Sequence, residues 1–244
     1  MNNVHLVISY DGSKYLGYQI QNEGKTIQKE IQIALEKIHK SVIKVDGSGR
    51  TDRGVHALDQ HVCFKSNLSL DKLQWKKALN GLLPDDIYIK DVLFESEDFH
   101  PRFNALKKIY LYKINLGEYN PLLKDYVYQL GKELDLAKME IASKYFIGTH
   151  DFRNFCSNEE IDGFSFIREV YNIEFNVCDN ILEIQVEGNG FMRYMVRNIV
   201  GSLIEIGLNK KDTSIITSRL DVNNRDIIPF CAPSCGLYLK KVIY

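Results

Sequence analysis

The order in which hydrophobic periods follow one another constrains this chain more than any other feature. Val4, Leu6 and Ile8 alternate with His5, Val7 and Ser9, so residues 1–10 read as a strand with one face turned to a core. A loop over 11–25 leads to a helix opening at Thr26, in which Ile27, Ile31, Ala34, Leu35 and Ile38 form one apolar stripe. A short strand over 42–45, a glycine-rich loop and a strand over 55–65 follow. A helix over 70–82, capped by Ser69, ends at Leu83-Pro84-Asp85-Asp86, and a strand runs over 87–94. Strand, helix, strand, strand, helix, strand is the order of a split βαβ, ferredoxin-like unit.

The remainder reads as a second α+β unit of similar plan. A strand over 107–116 and a turn-rich link over 117–121 precede a helix over 136–147. Paired strands over 166–177 and 181–187, an apolar helix over 191–206, a short helix from near Asp212 and a strand over 237–244 complete it. The expected division is 1–105 and 106–244, without a sequence repeat of fixed period. At 244 residues such a chain can bury a substantial core without staples. No apolar run approaches the roughly 18 residues of a membrane span, and the amino terminus lacks the basic start and long apolar centre of a signal peptide. Five cysteines without framework spacing suit a reducing compartment, so a cytoplasmic location is expected. Cys231 and Cys235 have no second pair to complete a zinc set.

A net charge of −1 advertises no general affinity for nucleic acid, so any such site is local. Of nine arginines, Arg50, Arg53, Arg102, Arg193 and Arg197 fall in glycine- and aromatic-rich stretches, where a planar guanidinium can grip phosphate and stack on bases. Gly47-Ser-Gly-Arg-Thr-Asp-Arg-Gly-Val-His-Ala57 sets Asp52 between two of them. The glycines permit a sharp bend, but neither a Walker loop nor a dinucleotide fingerprint is present. Asp52 could close an Asx-turn toward Gly54. Alternatively Arg50 and Arg53 keep it ionised as a nucleophile or base, or themselves hold a phosphate. Arg193 and Arg197 are spaced for one face of the helix over 191–206, whose other residues are mostly apolar. Tyr110 and Tyr112 share one side of a strand, as core residues or as a platform for a base. Gly17-Tyr-Gln-Ile-Gln21, which includes Gln19, and His150-Asp151 are weak signals alone.

Gly49-Arg-Thr-Asp-Arg-Gly-Val-His-Ala57 resembles the signature of the TruA-type pseudouridine synthases. The same order of motifs continues in Tyr10-Asp-Gly12, Gly17-Tyr-Gln-Ile-Gln21, Leu83-Pro84, Phe99-His100 with Arg102-Phe103, and Tyr110-Leu-Tyr112. It extends through His150-Asp-Phe152, Gly188-Asn-Gly-Phe191, Met195-Val-Arg-Asn198, Ala232-Pro233 and Gly236-Leu237. The resemblance implies two ferredoxin-like halves sharing a central antiparallel sheet, with helices on the outer face. It implies a homodimer that isomerises uridine to pseudouridine in the anticodon stem-loop of tRNA, without metal or organic cofactor. It makes Asp52 the nucleophile, Tyr110 the base-stacking residue, Arg197 the partner of Asp52 and Arg50 an aid to base extrusion, with Arg53, Gln19 and Arg193 as substrate contacts. The family usually has tryptophan at Tyr18, often a basic residue at Ile20, arginine at Lys107 or Lys108 and serine at Asn104. The alternatives are a related enzyme acting on another RNA such as rRNA, an RNA-binding protein without catalysis, and a metal-dependent phosphoesterase using Asp52, His56 and His150.

Overall fold

The computed structural model describes residues 1–157, 164–223 and 229–244. It divides into two compact units, Met1–Leu106 with Tyr238–Tyr244, and Lys107–Leu237. The last strand thus groups with the first unit rather than with 106–244, because its Tyr238 and Leu239 pair in parallel with His56 and Ala57.

In the first unit, β1 (Asn2–Tyr10), α1 (Ile27–His39), β2 (Asp46–Gly47), β3 (His56–Ser66), α2 (Lys72–Asn80) and β4 (Ile87–Glu95) follow the expected order. The sheet runs β4, β1, β3 and the C-terminal strand, with β2 beside β3. β1 is antiparallel to both neighbours, so the sheet is mixed rather than purely antiparallel. The β1 alternation has its expected result: Val4, Leu6 and Ile8 are fully buried, as are Ile27, Ile31 and Leu35 of the helical stripe. Each such side chain contributes about 1.5–3 kcal/mol. β1 is also covered opposite its core face, where His5 lies against His61, Phe99 and Tyr244.

The boundaries move where side chains take backbone partners. No strand forms over 42–45, because Gln32 and Gln28 on α1 donate to the carbonyls of Ile43 and Val45. The short strand lies instead at Asp46–Gly47. α2 starts later than expected, capped by Asp71 rather than Ser69, with Asp71 and Gln74 forming a reciprocal capping box.

In the second unit, β5 (Lys107–Asn115), β6 (Tyr128–Gln129), α3 (Leu136–Ser143), β7 (Gly148–Asp151), β8 (Ile167–Cys178), β9 (Ile181–Gly188), α4 (Met195–Gly207) and α5 (Ser214–Leu220) succeed one another. The sheet order is β5, β9, β8, β7, with β6 parallel to β5. The hairpin of β8 and β9 turns through Asp179 and Asn180, both at positive φ, as a tight two-residue turn requires. α4 is apolar nearly all round and buried accordingly, from Met195 and Val196 to Ile204 and Ile206. Gly201 permits this, since a Cβ there would collide with the Phe230 carbonyl. Among the described residues, no helix is long and apolar enough to cross a membrane.

Candidate functional site

The Asp52 loop is fixed by the residue before it. A bulge between Ile8 and Tyr10 in the pairing of β1 with β3 re-aims the end of β1. There Tyr10 Oη shares a buried hydrogen bond of 2.8 Å with Thr51 Oγ1. Burial pushes the Tyr10 phenol far above its ordinary range, so the group stays a neutral hydroxyl. On its main-chain side, Thr51 accepts from Tyr18 N–H at 3.0 Å. Gly17, at φ +106°, lets the two strands of loop approach: a Cβ there would stand 2.7 Å from Thr51 O and 3.2 Å from the Asp52 carbonyl carbon.

Beyond Thr51, the bend closes through main-chain atoms. Val55 N–H donates to Asp52 C=O at 3.1 Å, with Gly54 at φ +77° in the third position, where a tight turn favours glycine. Gly12 N–H donates to His56 Nδ1 at 3.1 Å, and the His56 ring stacks on Tyr238 with centroids 4.7 Å apart. Thr51 and His56 are therefore buried, Asp52 is half-buried, and Arg50, Arg53 and Gln19 are exposed. A half-buried carboxylate on a tied loop can act as a nucleophile or stabilise developing positive charge, and the two exposed guanidiniums flanking it can contact an anionic polymer. Tyr18, on the same segment as Gln19, is only 2 % exposed, and its ring fills the space that Gly47 leaves open.

The other candidates lie on the second unit. Tyr110 sits in β5 opposite Val186 of β9, nearly buried, with Phe191 edge-on to its ring at 5.3 Å. Tyr112, two residues on, is fully buried and donates to Pro233 C=O at 2.7 Å, so it is a core residue and no part of a platform. Arg193 and Arg197 do not share a helix face, since α4 starts only at Met195. Tyr194 caps it at φ +67°, a left-handed conformation that separates Arg193 from the helix. Both guanidiniums instead approach the Tyr194 ring, at 4.9 and 5.0 Å from its centroid. Arg197 is further held by Nε–H donation to Ala232 C=O at 2.7 Å, and Ala232 N–H returns a bond to Arg197 C=O. The sequence reading missed Tyr194; its signal was an aromatic residue set one after one arginine and three before the next. His150 contacts Ile147 C=O and the Phe152 ring, and the described residues contain no group of three metal-ligating side chains.

A family model described as tRNA pseudouridine synthase matches residues 6–104 and 142–244. The chain belongs to the tRNA pseudouridine synthase family. Its mixed α+β architecture is accordingly the pseudouridine synthase fold. The tRNA pseudouridine synthase A of Staphylococcus saprophyticus is 40 % identical over 237 residues, covering 96 % of this chain and 88 % of the relative. That of a Geobacillus strain is 42 % identical over 243 residues, 99 % of this chain and 98 % of the relative. The Bacillus cereus protein named tRNA pseudouridine synthase A 1 is 42 % identical over 246 residues, 100 % and 99 % of the two chains. The family match spans Gln19, Arg50, Asp52, Arg53, Arg193 and Arg197, whereas Tyr110 falls between its two segments.

Proposed function

We propose that Asp52 is the nucleophile of this tRNA pseudouridine synthase, with Tyr110 and Arg197 completing its catalytic set. Family membership gives the reaction: the enzyme isomerises uridine to pseudouridine in tRNA. The N1–C1′ bond breaks, the uracil turns, C5 joins C1′, the C5 proton leaves to solvent and N1 takes up a proton. Such a site holds a detached base while a carboxylate supplies the covalent or charge-stabilising step. The tying of Thr51 from both sides carries this reading, because it fixes the main chain immediately before the carboxylate. Tyr110, steadied by the edge of Phe191, offers a ring for the base to stack on. Arg197 contributes the positive charge of the proposed set.

Extruding a uridine from a stack costs a few kcal/mol. Contacts of the exposed Arg50 and Arg53 with phosphates offset it, with Gln19 and Arg193 as further substrate contacts. The target uridine lies in the anticodon stem-loop, and the enzyme works as a cytoplasmic homodimer without metal or organic cofactor. None of the five cysteines forms a disulfide, which supports a reducing compartment. Two measurements test the reading. Arg197→Ala is expected to cripple turnover more than tRNA binding; equal losses would make Arg197 a phosphate contact. Chemical mapping of pseudouridine in reacted tRNA is expected to mark the anticodon stem-loop, and modification confined to another arm, or to rRNA, would overturn that target.

A further inference from the structure

The turn that follows β4 exposes an aromatic ring on a rigid mount, and no part of the site described above uses it. Asn3 Nδ2 donates to the carbonyls of Ser96 and Phe99, at 2.8 and 3.1 Å. The Phe99 ring is packed against His5 and Tyr244, and Tyr244 Oη donates to Pro101 C=O at 2.8 Å. Within the turn, His100 N–H donates to Asn104 Oδ1 and Asn104 N–H to His100 C=O. Leu106 N–H donates to Ile243 C=O and closes the far end. Phe103 stands on this framework 76 % exposed. A solitary exposed phenylalanine needs no explanation. This one has the His100 ring 4.5 Å away and the Arg102 guanidinium 5.7 Å from its centroid. Arg102 N–H donates to His100 Nδ1, which makes Nδ1 the acceptor and leaves Nε2 to carry the proton of the neutral ring.

We infer that Phe103, with Arg102 and His100, forms a second RNA subsite that stacks an unpaired nucleobase of the substrate and contacts its phosphate. A flat apolar ring flanked by a guanidinium and an imidazole N–H matches a base with an adjoining phosphate, and a fixed turn limits the entropy lost on binding. The subsite is remote from the reaction. Asn3, which anchors it, and Tyr10, which holds Thr51, lie at opposite ends of β1, on the order of 20 Å apart. It therefore selects or orients the RNA body rather than the reacting uridine. The inference rests on the reading of tRNA as substrate.

The test compares wild type, Phe103→Ala and Phe103→Trp for affinity toward an unmodified tRNA transcript at fixed salt, and for tritium release from C5-labelled uridine. Phe103→Ala is expected to weaken binding roughly tenfold, with KM rising more than kcat falls. Phe103→Trp is expected to retain affinity within about threefold, the loss of a single stacked ring being the larger effect. Its new indole emission is expected to be quenched by tRNA, against a background of Trp75, which is fully buried. Wild-type affinity in Phe103→Ala, or unchanged emission from Phe103→Trp in the bound complex, would overturn the subsite while leaving the synthase reading intact. A change in sedimentation mass of Phe103→Ala with unaltered RNA affinity would assign the ring to a second copy of this chain instead. Absence of tritium release by wild type itself would strike the substrate reading first.

Discussion

Substituting Gly17 by alanine tests whether the Asp52 loop is positioned by backbone approach. At φ +106° any other residue is strained, by about 1–3 kcal/mol. The added Cβ would also meet three main-chain atoms, Thr51 O at 2.7 Å, the Asp52 carbonyl carbon at 3.2 Å and Arg53 N at 3.3 Å. None belongs to a side chain that could swing away. Ordinary contact begins near 3.4 Å, so the loop bearing Asp52 must retreat by roughly half an ångström or more. A misplacement of about 1 Å costs on the order of a hundredfold in rate, so Gly17→Ala is expected to lose about tenfold or more in kcat. Unfolding cannot mimic this. Taking about 5 kcal/mol as a low starting stability, a loss of about 2 leaves more than roughly 99 % of molecules folded at 25 °C. The assay pairs urea denaturation with single-turnover tritium release at saturating tRNA. Gly190→Ala is the control for a general glycine effect, since nothing lies within 4 Å of a Cβ there. A folded Gly17→Ala protein with wild-type kcat would refute the claim that this contact aims the nucleophile.

Two further outcomes follow from the same unit. Tyr10→Phe and Thr51→Val each remove one partner of a buried hydroxyl pair and are expected to cost about 1–3 kcal/mol in urea denaturation, the double variant costing less than their sum. Strict additivity would mean that the two hydroxyls are not coupled. Stability is also expected to fall on acidification. Burial lowers the His5 imidazole below its usual value of 6.5, against the raising pull of its bond to Glu95. The folded state therefore favours neutral His5, and stability is lost as pH falls through 6.5 and the unfolded chain takes up the proton. Burial raises the Asp59 carboxyl, but bonds from His61 and Val242 N–H outweigh it and hold the group below its usual 3.8. Its stabilisation is present above that value and disappears only as pH falls further. Urea denaturation at pH 7.5 and 5.5 checks the first window, and greater stability at 5.5 would contradict it.

The core strands were legible because a period of two over nine residues has no other reading, as Val4, Leu6 and Ile8 illustrate. β6 and β7 were not, since two and four residues carry no measurable period. The expected strand over 42–45 had the right composition, but the glutamines of α1 claimed its carbonyls, a tertiary event that local pattern does not record. The α2 start was legible in principle: Asp71 and Gln74 have the spacing of a capping box, a stronger signal than the serine preceding them.

Around the candidate site, the bend at Asp52 was readable from its glycines, but the clamp on Thr51 joins residues 41 positions apart and leaves no mark in spacing. Helical periodicity misplaced Arg193 because a single left-handed residue, Tyr194, delayed the start of α4. Tyr18 records a different limit. Its ring is accommodated against Gly47, while its buried hydroxyl has no hydrogen-bond partner among the described residues, a cost invisible from composition.

The measurement that bears most directly on the central claim is tritium release from C5-labelled uridine in unmodified tRNA, with wild type and Asp52→Asn side by side in chelator. The side chains are nearly isosteric, so the loop held by Thr51 should persist while the carboxylate is lost. Release by wild type and none by Asp52→Asn, with tRNA affinity retained, is the predicted result. Release by Asp52→Asn at the wild-type rate would contradict the account, since the chemistry would then belong to another residue.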